Sequence, residues 1–277
     1  LKILENFKSK NLDPDSHITK HVFLEASRLA YTDRDAYIAD PDFFPVPVNE
    51  MLSDSYLKSR SETIDLKAVN LKIKQGNFKN IDYRNIRRSV NIEKSSTTHI
   101  SIVDQFGNAV SLTSSVEFAF GSGKIVGGFF LNNQLTDFSY YSEKEKDDII
   151  ANSIQAFKKP RSSMAPTLVF KEKELHGVVG SPGGSRIICY VAQSLFYLIT
   201  YKYSVDEVLE MPHLCSRNYN SEIEENMNTI NIEKKLIDMG HNLVKKKMTS
   251  GLNIIWKKEK YWYGIADPRR EGFAVGK

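Results

Sequence analysis

The stretch Ser95-Ser96-Thr97-Thr98-His99-Ile100-Ser101-Ile102-Val103-Asp104 runs small polar residues straight into an alternating pattern. Ile100 and Ile102 fall on one side, Ser101 and Val103 on the other, and strict alternation predicts a half-buried strand. The strand turns at Gln105-Phe106-Gly107-Asn108 and returns as Ala109-Val110-Ser111-Leu112-Thr113, which reads as an antiparallel hairpin. Thr97 and Thr98 open its first strand, while Thr113, Ser114 and Ser115 close its second, so pairing gathers hydroxyls at one end. A threonine becomes a nucleophile when a base lies beside it, and the smallest such base is its own α-amine. That amine exists only if the Ser96–Thr97 peptide bond is cut.

With 277 residues, 41% of them hydrophobic and 26% charged, the chain is long enough to bury a sizeable core and is not of disordered composition. A net charge of +4, with runs such as Arg87-Arg88 and Lys245-Lys246-Lys247 interleaved with acids elsewhere, reads as solvated surface and gives no sign of nucleic-acid binding. Cys189 and Cys215 lack metal-ligand spacing and read as structural thiols. The most apolar window, 187–199, is shorter than the ~18–20 residues of a membrane span and is interrupted by Gln193 and Ser194, so a buried helix is expected there.

Helical spacing over 20–35 follows a cap signal at Asp13-Pro14-Asp15-Ser16. Asp33, Arg34 and Asp35 within it read as a structural ion-pair network. Pro41, Pro45 and Pro47 impose an extended loop, a short helix is expected over 53–60, and 61–94 reads as a linker leading to the cut. After the hairpin, a loop with polar groups covers 131–138 and an exposed charged segment, partly helical, covers 140–157. A second hairpin joins 167–170 to 175–179, followed by glycines and an apolar helix over 186–202. Ser204-Val205-Asp206-Glu207 fits a capping box, Gly240 a C-cap after a helix at 232–240, and 252–256 pairs with 261–265. Hairpins followed by helices predict an α+β layered fold.

The run Thr97-Thr98-His99-x-Ser101-x-Val103-Asp104-x-x-Gly107-Asn108-Ala109-Val110 resembles the start of the small subunit of γ-glutamyltransferases, N-terminal-nucleophile (Ntn) hydrolases that cut themselves before a threonine. Leu131–Phe138, Pro160–Thr167 and Gly180–Arg186 resemble three further family segments in the family's order, and Ala30–Phe43 resembles its signature late in the large subunit. The resemblance runs from about Ile3 to about Gly272. It implies the four-layer αββα Ntn sandwich, divided at the cut into a large-subunit-like region 1–96 and a small-subunit-like catalytic region 97–277. It also implies roughly as many residues again ahead of Leu1. The chain then reads as the back half of a precursor, with any targeting segment, and so the compartment, set by the absent half.

What the resemblance implies for the site is specific. Thr97 is the nucleophile, supported by the hydroxyl at Ser115, where the family usually has Thr. Gly183 and Gly184 match the oxyanion-hole glycines; a Gly-Gly step entering a helix offers backbone N–H groups unobstructed by side chains. Ser162 and Ser163 match residues that hold a γ-glutamyl α-carboxylate, and Gln134 and Asp137 those that hold its α-ammonium, a chemically sensible division of donors and acceptors. Glu117 stands where the family usually has Asn. The family's carboxylate-binding Arg belongs to the front half; Arg161 and Arg186 read as structural, and His99, on the face of Thr97, is the less favoured base.

The expected activity is cleavage of γ-glutamyl amides such as glutathione, with the acyl group passed from Thr97 to water or an amino acid, and with no metal or organic cofactor. The expected partners are that small substrate and acceptor, the two cleaved fragments for each other, and a missing N-terminal half, with neither nucleic acid nor a membrane span. Two alternatives stand beside it: a cephalosporin- or glutaryl-type acylase, which Glu117 favours, and a non-catalytic fragment that needs a separately made front half.

Overall fold

The computed structural model describes residues 1–78, 86–88, 96–140, 149–218, 220–225 and 230–276. In chain order its main elements are α1 (His17–Tyr37), α2 (Asp54–Ser61), β1 (Thr97–Val103), β2 (Ala109–Ser115), β3 (Thr167–Lys171) and β4 (Glu174–Gly180), then α3 (Ile187–Phe196), α4 (Val205–Glu210), β5 (Leu214–Ser216), β6 (Ser221–Glu224), α5 (Ile230–Asp238), β7 (Leu243–Lys246), β8 (Asn253–Lys258) and β9 (Tyr261–Ala266). The mix is α+β, as expected. Parts of the linker expected before the cut (79–85 and 89–94) and of the charged segment after Tyr140 (141–148) lie outside the described residues; 149–157 is not helical. No described helix is long and apolar enough to cross a membrane.

The chain forms two compact units, each discontinuous in sequence. One comprises Leu1–Ile92, Leu135–Ser162 and Leu214–Lys246. Its axis is α1, capped by Ser16, whose side chain accepts from the Thr19 N–H. Asp33 is one of the anchors: its carboxylate accepts from the Gly76 N–H (2.7 Å), Arg60 (3.1 Å) and the Tyr56 hydroxyl (2.5 Å). Asp35 lies 3.3 Å from Arg34 and 3.8 Å from the buried Arg161, so the network of Asp33, Arg34 and Asp35 is an internal brace of the helix. A three-stranded sheet, antiparallel between β5 and β6 and parallel between β6 and β7, completes this unit. The sequence reading did not anticipate it, because its strands are only three or four residues long and bury Ser216, Ser221, Glu222 and Glu224.

Two buried imidazoles tie α1 to that sheet. His21 bonds to the Asp65 carbonyl through Nε2 (2.7 Å) and to His241 Nε2 through Nδ1 (2.7 Å), and His241 Nδ1 bonds to Ser221 Oγ (2.8 Å). A carbonyl only accepts, so the direction is fixed: His21 donates to Asp65, His241 donates to His21, and Ser221 donates to His241. An extra proton on either ring would have to reverse one of these bonds.

The second unit comprises Glu93–Gln134, Ser163–His213 and Lys247–Lys277. Its sheet has the order β9-β8-β4-β3, antiparallel throughout. Glu172 and Lys173 both take positive φ (52° and 71°) and close the β3–β4 hairpin without glycine. Gly177–Gly180 is buried throughout, covered by the hairpin β1–β2 and by α3, whose Ile187, Tyr190, Val191 and Leu195 join Val178, Val179, Leu252 and Ile254 in the core. The capping box of Ser204 and Glu207 opens α4 as read. Neither Cys189 nor Cys215 is a free thiol, which corrects the free-thiol reading: nothing in the spacing of the sequence gave a sign of it.

Burial lowers the pKa of both His21 and His241, the latter to about 3, with the neighbouring imidazole and Arg28 adding to it at His241. The folded values lie below the ordinary 6.5, so the unfolded chain binds more protons and this stabilisation is complete above about pH 6.5 and lost as pH falls towards 3. Glu25, Asp65 and Arg28 also act on the pair. Denaturant melts across pH 7.5 to 4 are expected to show stability falling by about 1.4 kcal/mol per pH unit for each histidine that titrates. A flat profile would contradict the neutral chain.

Candidate functional site

The register of the first hairpin is Thr97↔Ser115, His99↔Thr113, Ser101↔Ser111 and Ile100↔Leu112. Alternation then sorts the side chains, but in the opposite sense to an ordinary half-buried hairpin. Thr97, His99 and Ser101 face inward with Ser111, Thr113 and Ser115, whereas Ile100, Ile102, Val110 and Leu112 are about half exposed. The polar face is satisfied by the sheet beneath it. Ser101 Oγ donates to the Asn253 carbonyl (3.0 Å), Ser111 Oγ donates to the Val179 carbonyl (3.2 Å) and accepts from the Thr167 N–H (3.0 Å), and Asn253 Nδ2 donates to the His99 carbonyl (3.1 Å).

At the open end, Thr97 Oγ1 donates to Ser115 Oγ at 3.0 Å. The Glu117 N–H donates to the same oxygen at 2.9 Å, and Ser115 Oγ reaches the Ser96 carbonyl at 3.5 Å. With two donors already on its lone pairs, the Ser115 hydroxyl has its proton directed at that carbonyl. Thr97 itself is buried.

His99 does share the face of Thr97, but both ring nitrogens are engaged elsewhere: Nδ1 with Thr113 Oγ1 (2.7 Å) and Nε2 with Ser101 Oγ (3.1 Å). Because Ser101 donates to Asn253, it accepts from His99 Nε2–H, and Nδ1 accepts from Thr113. Burial pushes this imidazole down to about 4, so it is neutral at physiological pH. Gly180 makes room for it, since a Cβ there would lie 2.0 Å from His99 Cε1.

From Gly180 the chain continues through Ser181-Pro182 to Gly183 and Gly184, both at positive φ (138° and 60°), and enters a single 3-10 turn and then α3. A Cβ at Gly183 would meet the Tyr190 ring at 2.5 Å. The glycine pair therefore stands at a helix entrance on the same sheet end that seats Thr97, with Asn253 paired to Gly180.

Glu117 is buried and takes φ 69°, a left-handed conformation that costs a side-chain-bearing residue about 1–2 kcal/mol and that Asn tolerates best. Its turn is stitched to 131–134: the Phe118 N–H donates to Asn133 Oδ1 (2.9 Å) and the Asn133 N–H to the Val116 carbonyl (3.2 Å). The Gln134 N–H donates to Asn132 Oδ1 (2.9 Å), so Gln134 belongs to the same turn cluster. Ser163 is buried in this unit. Asp137 and Ser162 belong to the other unit, where Asp137 is buried, its carbonyl accepting from Asn152 Nδ2 (2.8 Å), and Ser162 is exposed.

A cavity of about 810 Å³ opens along β1 from Thr97 to Ile102 and is walled by residues 251–255, 264–265, 267 and 269–275 with Pro182. Of the residues singled out from sequence, it contains Thr97 and His99 but none of the glycines or of the candidate substrate ligands. It does contain Arg270, which the sequence reading missed. Arg270 donates through Nη1 to the Thr97 carbonyl (3.3 Å) and through Nε to the Thr249 carbonyl (2.9 Å). Its stem packs on Gly251, where a Cβ would lie 2.8 Å from Arg270 Cδ and from Pro182 Cγ. Nothing in the pattern of the sequence announces a contact between positions so far apart.

The loop bearing Arg270 is fixed by Asp267. Ser250 Oγ donates to Asp267 Oδ2 (2.5 Å) and accepts from His213 Nε2 (2.7 Å). Burial opposes the charge on Asp267, but hydrogen bonds from His213, Ser250 and the Arg269 N–H outweigh it and hold the carboxyl below the usual carboxylate range. This serine donates to the aspartate rather than to the imidazole and is fully buried, so the trio is a brace and not a nucleophile with its base.

A family model described as Gamma-glutamyltranspeptidase matches residues 1–277. The glutathione hydrolase proenzyme of Bacillus subtilis (strain 168) is 34% identical over 287 residues, covering 100% of this chain and 48% of that protein. Among solved structures, a Helicobacter pylori gamma-glutamyltranspeptidase mutant matches with a TM-score of 0.57 at 36% identity, over 62% of this chain and 100% of that one. A cephalosporin acylase from Bacillus halodurans matches with a TM-score of 0.75 over 93% of this chain and 44% of that one, at 22% identity, a likeness of fold alone. The fold class is the αββα architecture common to Ntn-hydrolase transpeptidases and acylases. The chain belongs to the gamma-glutamyltranspeptidase family. It spans about half the length of the curated relatives it matches.

Gly180→Ala is expected to unseat the hairpin, because the added methyl overlaps the His99 ring and neither the sheet nor β1 can yield. The expected loss is about 2–3 kcal/mol in denaturant melts, with Gly107→Ala, which meets open space, losing about 1 kcal/mol for its positive φ alone.

Proposed function

We propose that this chain carries the catalytic machinery of an autoprocessing Ntn acyl enzyme that cuts the Ser96–Thr97 bond and then transfers γ-glutamyl groups. The observation that carries the reading is the hydrogen-bonded run from Thr97 Oγ1 to Ser115 Oγ to the Ser96 carbonyl. It joins a hydroxyl nucleophile to the carbonyl of its own preceding peptide bond.

In the first reaction the Thr97 hydroxyl adds to the Ser96 carbonyl carbon while Ser115 hydrogen-bonds the carbonyl oxygen. The C–N bond then breaks, the nitrogen takes the proton, and an ester joins Ser96 to Thr97 Oγ1. Water hydrolyses the ester, leaving a carboxylate at Ser96 and a free α-amine and hydroxyl on Thr97. In the second reaction that amine takes the hydroxyl proton as Oγ1 attacks the γ-amide carbonyl, the N–H groups of Gly183 and Gly184 receive the oxyanion, and the amine returns the proton to the leaving nitrogen. Water or the amino group of an amino acid then removes the glutamyl group from Thr97.

In this reading Ser162 and Ser163 hold the substrate α-carboxylate, and Gln134, Asp137 and Glu117 hold its α-ammonium. The substrate class is glutathione or another γ-glutamyl amide. A second reading, an acylase acting on a glutaryl group, is supported by Glu117 at the position where the family usually carries Asn. The half-exposed face of Ile100, Ile102, Val110 and Leu112 supports a further partner, a front half that supplies the carboxylate-binding Arg. The two fragments released by the cut then remain together as one folded body.

Intact mass after prolonged incubation is expected to show fragments ending at Ser96 and beginning at Thr97, absent in Thr97→Ala and about 100-fold slower to form in Ser115→Ala. The mature protein is expected to cleave a γ-glutamyl anilide in preference to a glutaryl anilide, which differs in lacking the ammonium. The reverse preference would give the acylase reading precedence. An uncut chain in all three samples would place maturation in the hands of the front half.

A further inference from the structure

We propose that Arg270 is a positioning residue that tunes the Thr97 α-amine, clamping the residue by its carbonyl and holding the amine in its neutral, proton-accepting form. The inference rests on the reading of Thr97 as the nucleophile released by the cut.

A residue at a new chain terminus is held by fewer bonds than one within a strand. Once the Ser96–Thr97 bond is gone, Thr97 keeps one peptide plane, its hydroxyl and its pairing with β2. Ser115 fixes the hydroxyl, and Arg270 fixes the peptide plane through the 3.3 Å bond to the Thr97 carbonyl. The clamp is itself anchored: Arg270 Nε is tied to the Thr249 carbonyl, its stem is wedged against Gly251 and Pro182, and the preceding residues are held by Asp267. These elements come from the far end of the chain, so the terminus generated by cleavage is gripped by a segment that does not move with it.

The charge matters as much as the grip. In an extended residue the N–H and C=O point to the same strand edge, and the two atoms lie about 3 Å apart. The guanidinium on the Thr97 carbonyl therefore sits within about 7 Å of the Thr97 nitrogen. A cation at that distance disfavours the ammonium, which lowers the amine pKa from the usual ~7.7–8.0 and raises the fraction able to accept the hydroxyl proton at neutral pH. Other groups act on the same spot. Glu117 follows β2, Glu271, Asp267 and Arg269 stand on the cavity wall, and His99 lies on β1 itself. His99 is neutral, Asp267 is bonded to Ser250 and to Arg269, and Glu271 is exposed and screened by solvent. Glu117 opposes Arg270, and substitution at Arg270 alone leaves that opposition unchanged.

The test separates grip from charge in the full chain, with Arg270→Gln, which keeps N–H donors and loses the charge, and Arg270→Lys, which keeps the charge and loses the fork. Cleavage is followed by intact mass, and kcat/KM for a γ-glutamyl anilide is measured from pH 5.5 to 9.5. Arg270→Gln is expected to move the acidic limb upward by about 0.5–1 pH unit, costing about 3- to 10-fold at pH 6 and little at pH 9. Arg270→Lys is expected to keep the wild-type limb while lowering kcat about 10-fold at every pH through loss of the clamp. Limbs that coincide in all three proteins, or that shift equally in both variants, would overturn the inference while leaving the nucleophile reading intact. A wild-type chain that yields no Thr97 terminus would overturn the nucleophile reading and this inference with it. Thermal melts of both variants identify any loss that comes from folding, which would lower activity uniformly without moving the limb.

Discussion

The hydrogen-bonded seat of the first hairpin governs the rest of the site. A two-stranded ribbon has little stability alone. This one turns Thr97, His99, Ser101, Ser111, Thr113 and Ser115 inward and leaves its aliphatic residues outside. Burying so many hydroxyls and an imidazole is tolerable only if each finds a partner, because an unmade bond there costs about 1–3 kcal/mol. The sheet supplies those partners from the backbone carbonyls of Asn253 and Val179 and the N–H of Thr167. Register follows from this. A slip by one residue would turn the aliphatic residues onto those carbonyls and leave every hydroxyl outside, so the pairing of Thr97 with Ser115 is specified by the whole polar face.

The same logic explains why His99 is a brace. An imidazole with both nitrogens committed, in a niche made by Gly180, holds β1 at a fixed height above β4. A charged histidine would break one of those bonds and face desolvation without a counter-ion. Neutrality is therefore part of the packing, as it is for His21 and His241 in the other unit, and acid acts on the fold through three imidazoles whose ring nitrogens meet hydroxyls, a carbonyl and each other. Carboxylates meet the same constraint differently. Asp33 and Asp267 each collect three or more donors, which keeps charge tenable in the interior.

Local patterns carried the elements whose cause is local. The cap at Ser16, the capping box at Ser204 and Glu207, the alternation of β1 and the glycine exit of α5 were all readable because each is decided within four or five neighbouring residues. The brace of Asp33, Arg34 and Asp35 was readable as structural from the commonness of such pairs. The sheet of β5, β6 and β7 was not: its strands are too short for periodicity, and they bury serines and glutamates that pattern alone assigns to the surface. The imidazole chain of His21 and His241 and the contact of Arg270 with Thr97 both join distant positions. Alternation did place Ile100 and Ile102 together, but it could not say that their side is the outer one, since that depends on what the opposite face meets.

Glu117 shows where chemistry and conformation pull apart. Its left-handed backbone suits Asn, whose short side chain tolerates that region; a glutamate there accepts strain without any local advantage to the turn. The turn itself is well made, since its N–H groups serve Ser115 and Asn133. The reason for the carboxylate therefore lies beyond the backbone. A negative charge buried beside the turn of Gln134 is costly unless something positive meets it. An α-ammonium brings the opposite charge to that carboxylate, whereas a glutaryl group brings only a second anion. The departure at Glu117 therefore bears on which acyl group is taken, and not on the acyl transfer proposed for Thr97.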